Sequence, residues 1–168
     1  LETIAGIAVV APMRQFDVEW VLSPGHGEKV LFMAFDPVSY TQVTQFTFSD
    51  STVDPVAAVR RLADGEAIFL SSVLVERFNV RVGDTIQLRT RSGIRSFVVA
   101  AEVVDFSNQG EVIQGSWTDM KRFFRIDDAT TYLVKTTPGT DIEVLKERID
   151  DLLGKRYHLI LESNSSIR

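Results

Sequence analysis

The sequence predicts an α+β fold. A helix-on-sheet subdomain with β-α-β units is interrupted by a smaller, mainly-β, barrel-like subdomain. Three observations carry this. Apolar runs with β-branched residues or period-two alternation recur along the chain, interleaved with segments of helical apolar spacing. Strands and turn glycines concentrate in residues 66–108. Helical segments lie before and after that stretch, which suggests helices layered on a sheet. The body is therefore expected to be residues 1–63 plus 109–168, with 66–108 inserted. Because the insert interrupts the body, its two ends must lie close together.

In chain order, Ile4–Ala11 is apolar, β-branched and followed by Pro12, which reads as a strand. Val18–Leu22 reads as a second strand, with a mixed stretch, Met13–Asp17, between. Ser23-Pro24-Gly25-His26-Gly27 is a turn by composition, and Lys29–Phe35 a third strand, so a hairpin spans 23–28. Those glycines do not form a phosphate cradle, which needs a helix after the turn. In Val38–Phe48 the aromatics and threonines favour extended structure, although Val38–Val43 also suits a helical turn. Asp54-Pro55 opens a helix, with Asp at the N-cap and Pro in the first turn. Val56, Val59 and Leu62 give it an apolar stripe, and Asp64-Gly65 ends it.

Ala67–Leu70 is a short apolar strand running into Ser71-Ser72, and Val73–Phe78 reads as one or two helical turns. Asn79–Asp84 turns the chain into a hairpin of Thr85–Thr90, a tip at Arg91-Ser92-Gly93, and a return over Ile94–Val104. Ile86 and Leu88 alternate with polar residues, so one face of the first strand is buried. The return is apolar on both faces at Phe97–Ala101, as a curling sheet requires. Beyond a polar loop, Glu111–Gly115 is a strand and Ser116 caps a helix, with Asp119 at the capping-box spacing. Trp117, Met120, Phe123 and Phe124 stripe that helix. Thr131–Lys135, a helix Asp141–Leu153 and a strand Tyr157–Leu161 form one β-α-β unit. Thr140 and Glu143 are its expected capping box, and Leu145, Ile149 and Leu152 its inward face.

The run from Ser71 to Phe106 carries a family resemblance. A strand and a short helix lead into V-x-V-G-D-T-I-x-L (Val80–Leu88), a glycine-tipped hairpin and V-V-A-A-E-V-V-D (Val98–Asp105). This resembles the extracytoplasmic core domain of ABC-transporter permeases of the MacB/FtsX/lipoprotein-releasing type. Asn79 and Ala101 stand where that family more often has Gly. The resemblance implies an α+β subdomain with a smaller β subdomain inserted. It also implies a soluble extracytoplasmic piece cut from between two membrane helices, on the periplasmic face of the cell membrane. The expected partners are a cytoplasmic ATPase subunit and a second permease copy or homologue. An extracytoplasmic adaptor, carrier or hydrolase is a further one.

Composition narrows the alternatives. The chain has 168 residues, is 45% hydrophobic and carries a net charge of −5. That is enough to bury a core, and no basic excess offers a nucleic-acid surface. It has no cysteine, which excludes disulfides and thiolate metal sites. No metal, cofactor or catalytic constellation is readable. His26 sits in a turn and His158 in an apolar strand, each without a second ligand. Ser71-Ser72 is explained by capping. Asp127-Asp128 and Asp150-Asp151 lack calcium-loop spacing and read as solvated surface. Gly83-Asp84 reads as a turn. Trp20 and Trp117 read as core or half-buried, and an exposed one would mark a contact surface. Arg89, Arg91 and Arg95 form a basic cluster at the hairpin and are the candidate partner contacts, for anionic headgroups or an acidic protein.

The leading expectation is thus a non-catalytic domain that couples membrane-helix motion to an extracytoplasmic substrate or partner protein. The termini near Leu1 and Arg168 should then lie on one side of the fold. The alternatives are a soluble small-barrel binding or regulatory module, and an enzyme with a serine or carboxylate site.

Overall fold

A computed structural model describes residues 4–154. The expected strand Tyr157–Leu161, His158, and the positions of Leu1 and Arg168 lie outside the described residues. The chain forms two compact units, one Ala11–Leu133 and the other made of chain on both sides of it, described over 4–10 and 134–154.

The larger unit is built on a closed barrel. Its strands are β1 (Ile7–Ser23), β2 (His26–Phe35), β3 (Ala67–Ser71), β4 (Thr85–Thr90), β5 (Gly93–Val103) and β6 (Val112–Ser116). They follow the order β2-β6-β3-β5-β4-β1, and β1 pairs again with β2, which closes the ring. Only β2–β6 and β3–β5 are parallel. β7 (Thr131–Thr136) lies on β1 outside the ring.

The strands of 66–108 form one continuous arc of the ring, β3-β5-β4, and β1, β2 and β6 form the other. All six line one interior: Val18 and Trp20, Val30 and Phe32, Ile68 and Leu70, Ile86 and Leu88, Phe97 and Val99, and Ile113 share one buried cluster. The strands of 66–108 and those of β1, β2 and β6 thus share one buried interior. Phe16, Phe32 and Phe124 stack in that interior with centroids 4.9–5.2 Å apart. Leu74 of α3 (Ser72–Phe78) joins the same cluster. So do Met120, Phe123 and Phe124, on the π-type turn that continues the short helix α4 (Trp117–Asp119).

Strands with two buried faces support a second, outer layer. In β5, Phe97 and Val99 face the interior, while Ala101 and Val103 join an outer cluster with Leu62 and Phe69. Residues two apart normally share a face. A register shift between Val99 and Ala101 makes the switch, as a bulge does. The outer layer rests under α1 (Pro37–Val43) and α2 (Pro55–Asp64). Each opens on an Asp-Pro pair whose carboxylate accepts an N–H two residues on.

Several expectations change. β1 is one strand through Pro12, which lies just before the first β1–β2 pair, Met13 with Phe35, where no donor is needed. Val38–Val43 is helical, and extended pairing is confined to a bridge between Phe48 and Val103. The α2 stripe is rotated: Ala58 and Leu62 are buried while Val56 is 67% exposed. Thr90 pairs directly with Gly93, so the β4–β5 turn holds two residues rather than three.

In the smaller unit, Ile4, Ile7, Leu145 and Ile149 pack together with Val10 and Val134. Its helix α5 (Ile142–Ile149) is capped by Asp141, whose carboxylate accepts from Glu143 and Val144 N–H. Thr140, the expected cap, instead meets the Thr137 hydroxyl at 2.6 Å. A π-type turn, Asp150–Gly154, continues the helix and changes its phase, which leaves Leu152 exposed rather than inward.

Candidate functional site

The residues singled out for chemistry resolve into structural roles. Ser71 is buried; its hydroxyl donates to Gly110 O and accepts from Leu74 N–H at 3.4 Å, capping α3. His26 is exposed in the β1–β2 turn. Asp84 accepts from Arg81 N–H at 2.9 Å, and Gly83 has φ +98°, as a turn there requires. Trp20 is buried against Phe78 at 4.5 Å, and Trp117 is half-buried. Asp127, Asp128, Asp150 and Asp151 are exposed, and Asp128 pairs with Arg14 at 3.1 Å. Among the described residues, no group of three His, Asp or Glu side chains is placed to hold a metal ion.

The three arginines do not share a face. Arg89 stands opposite Glu19 on β1 and pairs with it at 2.6 Å. Arg95 stands opposite the buried Leu88, on the interior side, and covers the Phe123 ring at 5.6 Å. Arg91 lies in the turn, where its N–H donates to Phe123 O. All three are exposed, but one is neutralised by Glu19 and the set is split across the sheet.

Asp119 was expected to close a capping box. Ser116 Oγ does accept from Asp119 N–H at 3.1 Å. The Asp119 carboxylate, however, accepts from Glu66 N–H at 2.8 Å, 53 residues away. Glu66 has φ +55°, so the carboxylate anchors a left-handed corner leading into β3. Burial, with a smaller contribution from the Glu66 charge, pushes the Asp119 carboxyl above its ordinary value, against the lowering effect of these hydrogen bonds.

The feature most like a binding site was not singled out in the sequence. It is a cleft of about 400 Å³ over the outer face of β6, in the larger unit. Gln114 forms its floor, 5% exposed, on a strand otherwise made of buried apolar and small residues. Its Nε2 donates to Asp105 Oδ2 at 2.8 Å, and Asp105 Oδ1 accepts from Ser107 N–H at 2.8 Å. Gln114 Oε1 is buried without a hydrogen-bond partner among the described residues. Tyr40 flanks the cleft, its hydroxyl pKa raised first by burial and then by the Asp105 charge. Met13, Met33 and Leu133 form apolar walls, and Phe106 stands at the edge, 87% exposed. Phe46 separates this cleft from a second, mainly apolar groove of about 350 Å³ between α1 and α2, lined by Phe48, Pro55, Val56 and Val59. The polar residue inside an apolar strand, Gln114, was the one sequence signal for the site. The identical Asp-Pro openings at Asp36 and Asp54 were the signal for its helical wall.

No family model and no curated protein matches the sequence, but solved structures match it along nearly its whole length. The periplasmic region of MacB from Actinobacillus actinomycetemcomitans superposes with a TM-score of 0.68 at 12% identity, over 99% of this chain and 76% of that one. The extracellular domain of the noncanonic ABC-type transporter YknZ from Gram-positive bacteria gives 0.66 at 13% identity, over 95% and 81%. A domain of a Porphyromonas gingivalis protein described as a permease gives 0.57 at 17% identity, over 93% and 73%. The chain thus has the fold of extracytoplasmic permease domains, as the run Ser71–Phe106 led us to expect. Among the described residues, no helix is long and apolar enough to cross a membrane.

Proposed function

We propose that this chain is a non-catalytic extracytoplasmic domain of an ABC-transporter permease, and that it couples membrane-helix motion to a substrate or partner protein outside. The observation that carries the reading is the likeness to the MacB periplasmic region over 99% of the chain. The fold alone does not specify function, so the residues must also fit. In support, Ser71 caps a helix, His26 lies in a turn, and Asp127, Asp128, Asp150 and Asp151 lie on solvated surface. A body that transmits force must move without deforming. A closed six-stranded ring with a continuous buried interior suits that task, because deformation would open interstrand ladders and expose packed aromatics. On this reading ATP is hydrolysed by a cytoplasmic subunit, and a second permease copy or homologue carries the facing domain. An adaptor, carrier or hydrolase receives the motion.

The test uses the parent protein in its own cells. This chain has no cysteine, so in a parent protein with any cysteines elsewhere replaced by serine, His26→Cys places one thiol on the exposed β1–β2 turn. The reading expects the protein in the membrane fraction, with this thiol labelled by a membrane-impermeant maleimide from the extracytoplasmic side. Recovery in the soluble cytoplasmic fraction, with the thiol shielded until lysis, would overturn it in favour of a small-barrel regulatory module.

A further inference from the structure

The cleft over β6 has a polarity that selects its ligand. Among the described residues, its only charged lining residue is Asp105, and no lysine or arginine lines it. Both Asp105 oxygens already accept one hydrogen bond, and a carboxylate can accept more than two. Gln114 adds a second acceptor, Oε1, that is buried and unpaired. An orphaned buried acceptor is costly and is normally satisfied by water or a ligand. Tyr40 and Phe46 add aromatic faces, with centroids 4.5 Å apart, and such faces attract cations. Around these polar groups the walls are Met13, Met33 and Leu133, with Phe106 held out in solvent at the edge. Adaptable methionines and an exposed aromatic suit an aliphatic stem of variable shape.

We propose that this cleft is a binding site for a cationic group on an apolar stem, as presented by lysine or arginine in an amphipathic peptide segment. The ammonium or guanidinium donates to Asp105 and to Gln114 Oε1, beside the faces of Tyr40 and Phe46. The stem lies against the methionines and under Phe106. An anionic head meets only neutral donors here, such as the Gln15 and Gln45 amides and the Tyr40 hydroxyl, and is repelled by Asp105. The site is read from the chain's own residues and does not depend on the permease assignment.

The probes are two short peptides, one alternating leucine with lysine and one alternating leucine with glutamate, titrated into ¹⁵N-labelled protein. The lysine peptide is expected to shift the Gln114 side-chain amide and the Asp105 to Ser107 backbone signals, saturably. The glutamate peptide should bind at least tenfold more weakly. Asp105→Asn keeps an acceptor for Ser107 and should weaken the lysine peptide about tenfold, which corresponds to about 1.4 kcal/mol. Phe106→Ala, at an exposed position that does not endanger folding, should weaken it severalfold without changing the charge preference. Equal binding of both peptides, shifts that map elsewhere, or no binding at millimolar peptide would overturn the assignment. Shifts at Gln114 from buffer alone, unchanged by either peptide, would show that water satisfies Oε1 and would equally overturn it. A free peptide and a protein-borne segment differ in the next arm. Competition by Nα-acetyl-lysine amide at millimolar concentration identifies the single side chain as sufficient, and its failure beside binding of the peptide identifies an extended segment.

Discussion

The barrel interior makes a quantitative demand at Gly115. This residue lies on β6 opposite Ile68, and a Cβ there would overlap the Phe32 ring, with Cε1 at 2.8 Å and Cζ closer still. Phe32 is fully buried and has little room to retreat, because Phe16 and Phe124 stand with centroids at 4.9 and 5.2 Å. Overpacking of this kind costs about 1–3 kcal/mol. Alanine returns about 0.4–1 kcal/mol by restricting the unfolded chain. Gly115→Ala should therefore destabilise by up to about 2.6 kcal/mol, a fall in melting temperature of up to roughly 10 °C for a chain of this size. Urea unfolding followed by circular dichroism should show a lower midpoint at unchanged slope. The cause is tested by Phe32→Leu, which removes the part of the ring that collides. The double variant should be more stable than the summed single effects by at least about 0.5 kcal/mol. Additivity within about 0.3 kcal/mol would refute the close approach.

Other consequences follow from the same packing. Leu62→Ala should cost about 2–5 kcal/mol, since Leu62 is fully buried, whereas Val56→Ala on the same helix should change urea stability by less than about 0.5 kcal/mol. Asp119→Ala should cost about 1–3 kcal/mol by stranding the Glu66 N–H. Asp119→Asn keeps an acceptor and isolates the charge. Because the folded carboxyl is raised, its contribution is present below the unfolded pKa and lost as pH rises through the folded one. The stability of Asp119→Asn relative to the parent should then grow between about pH 3 and 7, and a constant or shrinking difference contradicts the burial argument. A double-mutant cycle on Arg89 and Glu19 should give a coupling of only about 0.2–1 kcal/mol, weakened by salt, as for two partly exposed side chains.

What the sequence made legible was local. The caps at Asp54, Ser71 and Ser116, the Gly83-Asp84 turn and both hairpins are determined by residues a few positions apart, and the structure shows them. Ring closure was not legible, because the pairings of β2 with β6 and of β3 with β5 join distant segments whose periodicity says nothing about partners. The doubly apolar run Phe97–Ala101 did signal two buried faces, but the bulge that assigns each residue to a face is a tertiary matter. Leu152 was misplaced because π-type widening breaks the 3.6-residue period on which the helical reading rests. The arginines were grouped by proximity in sequence. Strand pleating separates them, sending Arg89 and Arg95 to opposite faces. The cleft stayed hidden because Tyr40, Asp105 and Gln114 come together only once α1 and the loop after β5 cover β6.

The central claim of the proposed function is that the barrel moves as one stiff body with a membrane part of the parent protein. Paired spin labels in the full-length parent protein, reconstituted with the ATPase subunit that the proposal assigns to it, test it directly. One pair joins His26→Cys and Arg60→Cys within a barrel, both exposed positions of the larger unit. The other joins His26→Cys in this domain to an equivalent label on the facing permease copy. The account predicts an unchanged distance within the barrel and a shift between the two copies on adding ATP. An inter-copy distance indifferent to ATP, or a change within the barrel as large as that between copies, would contradict it.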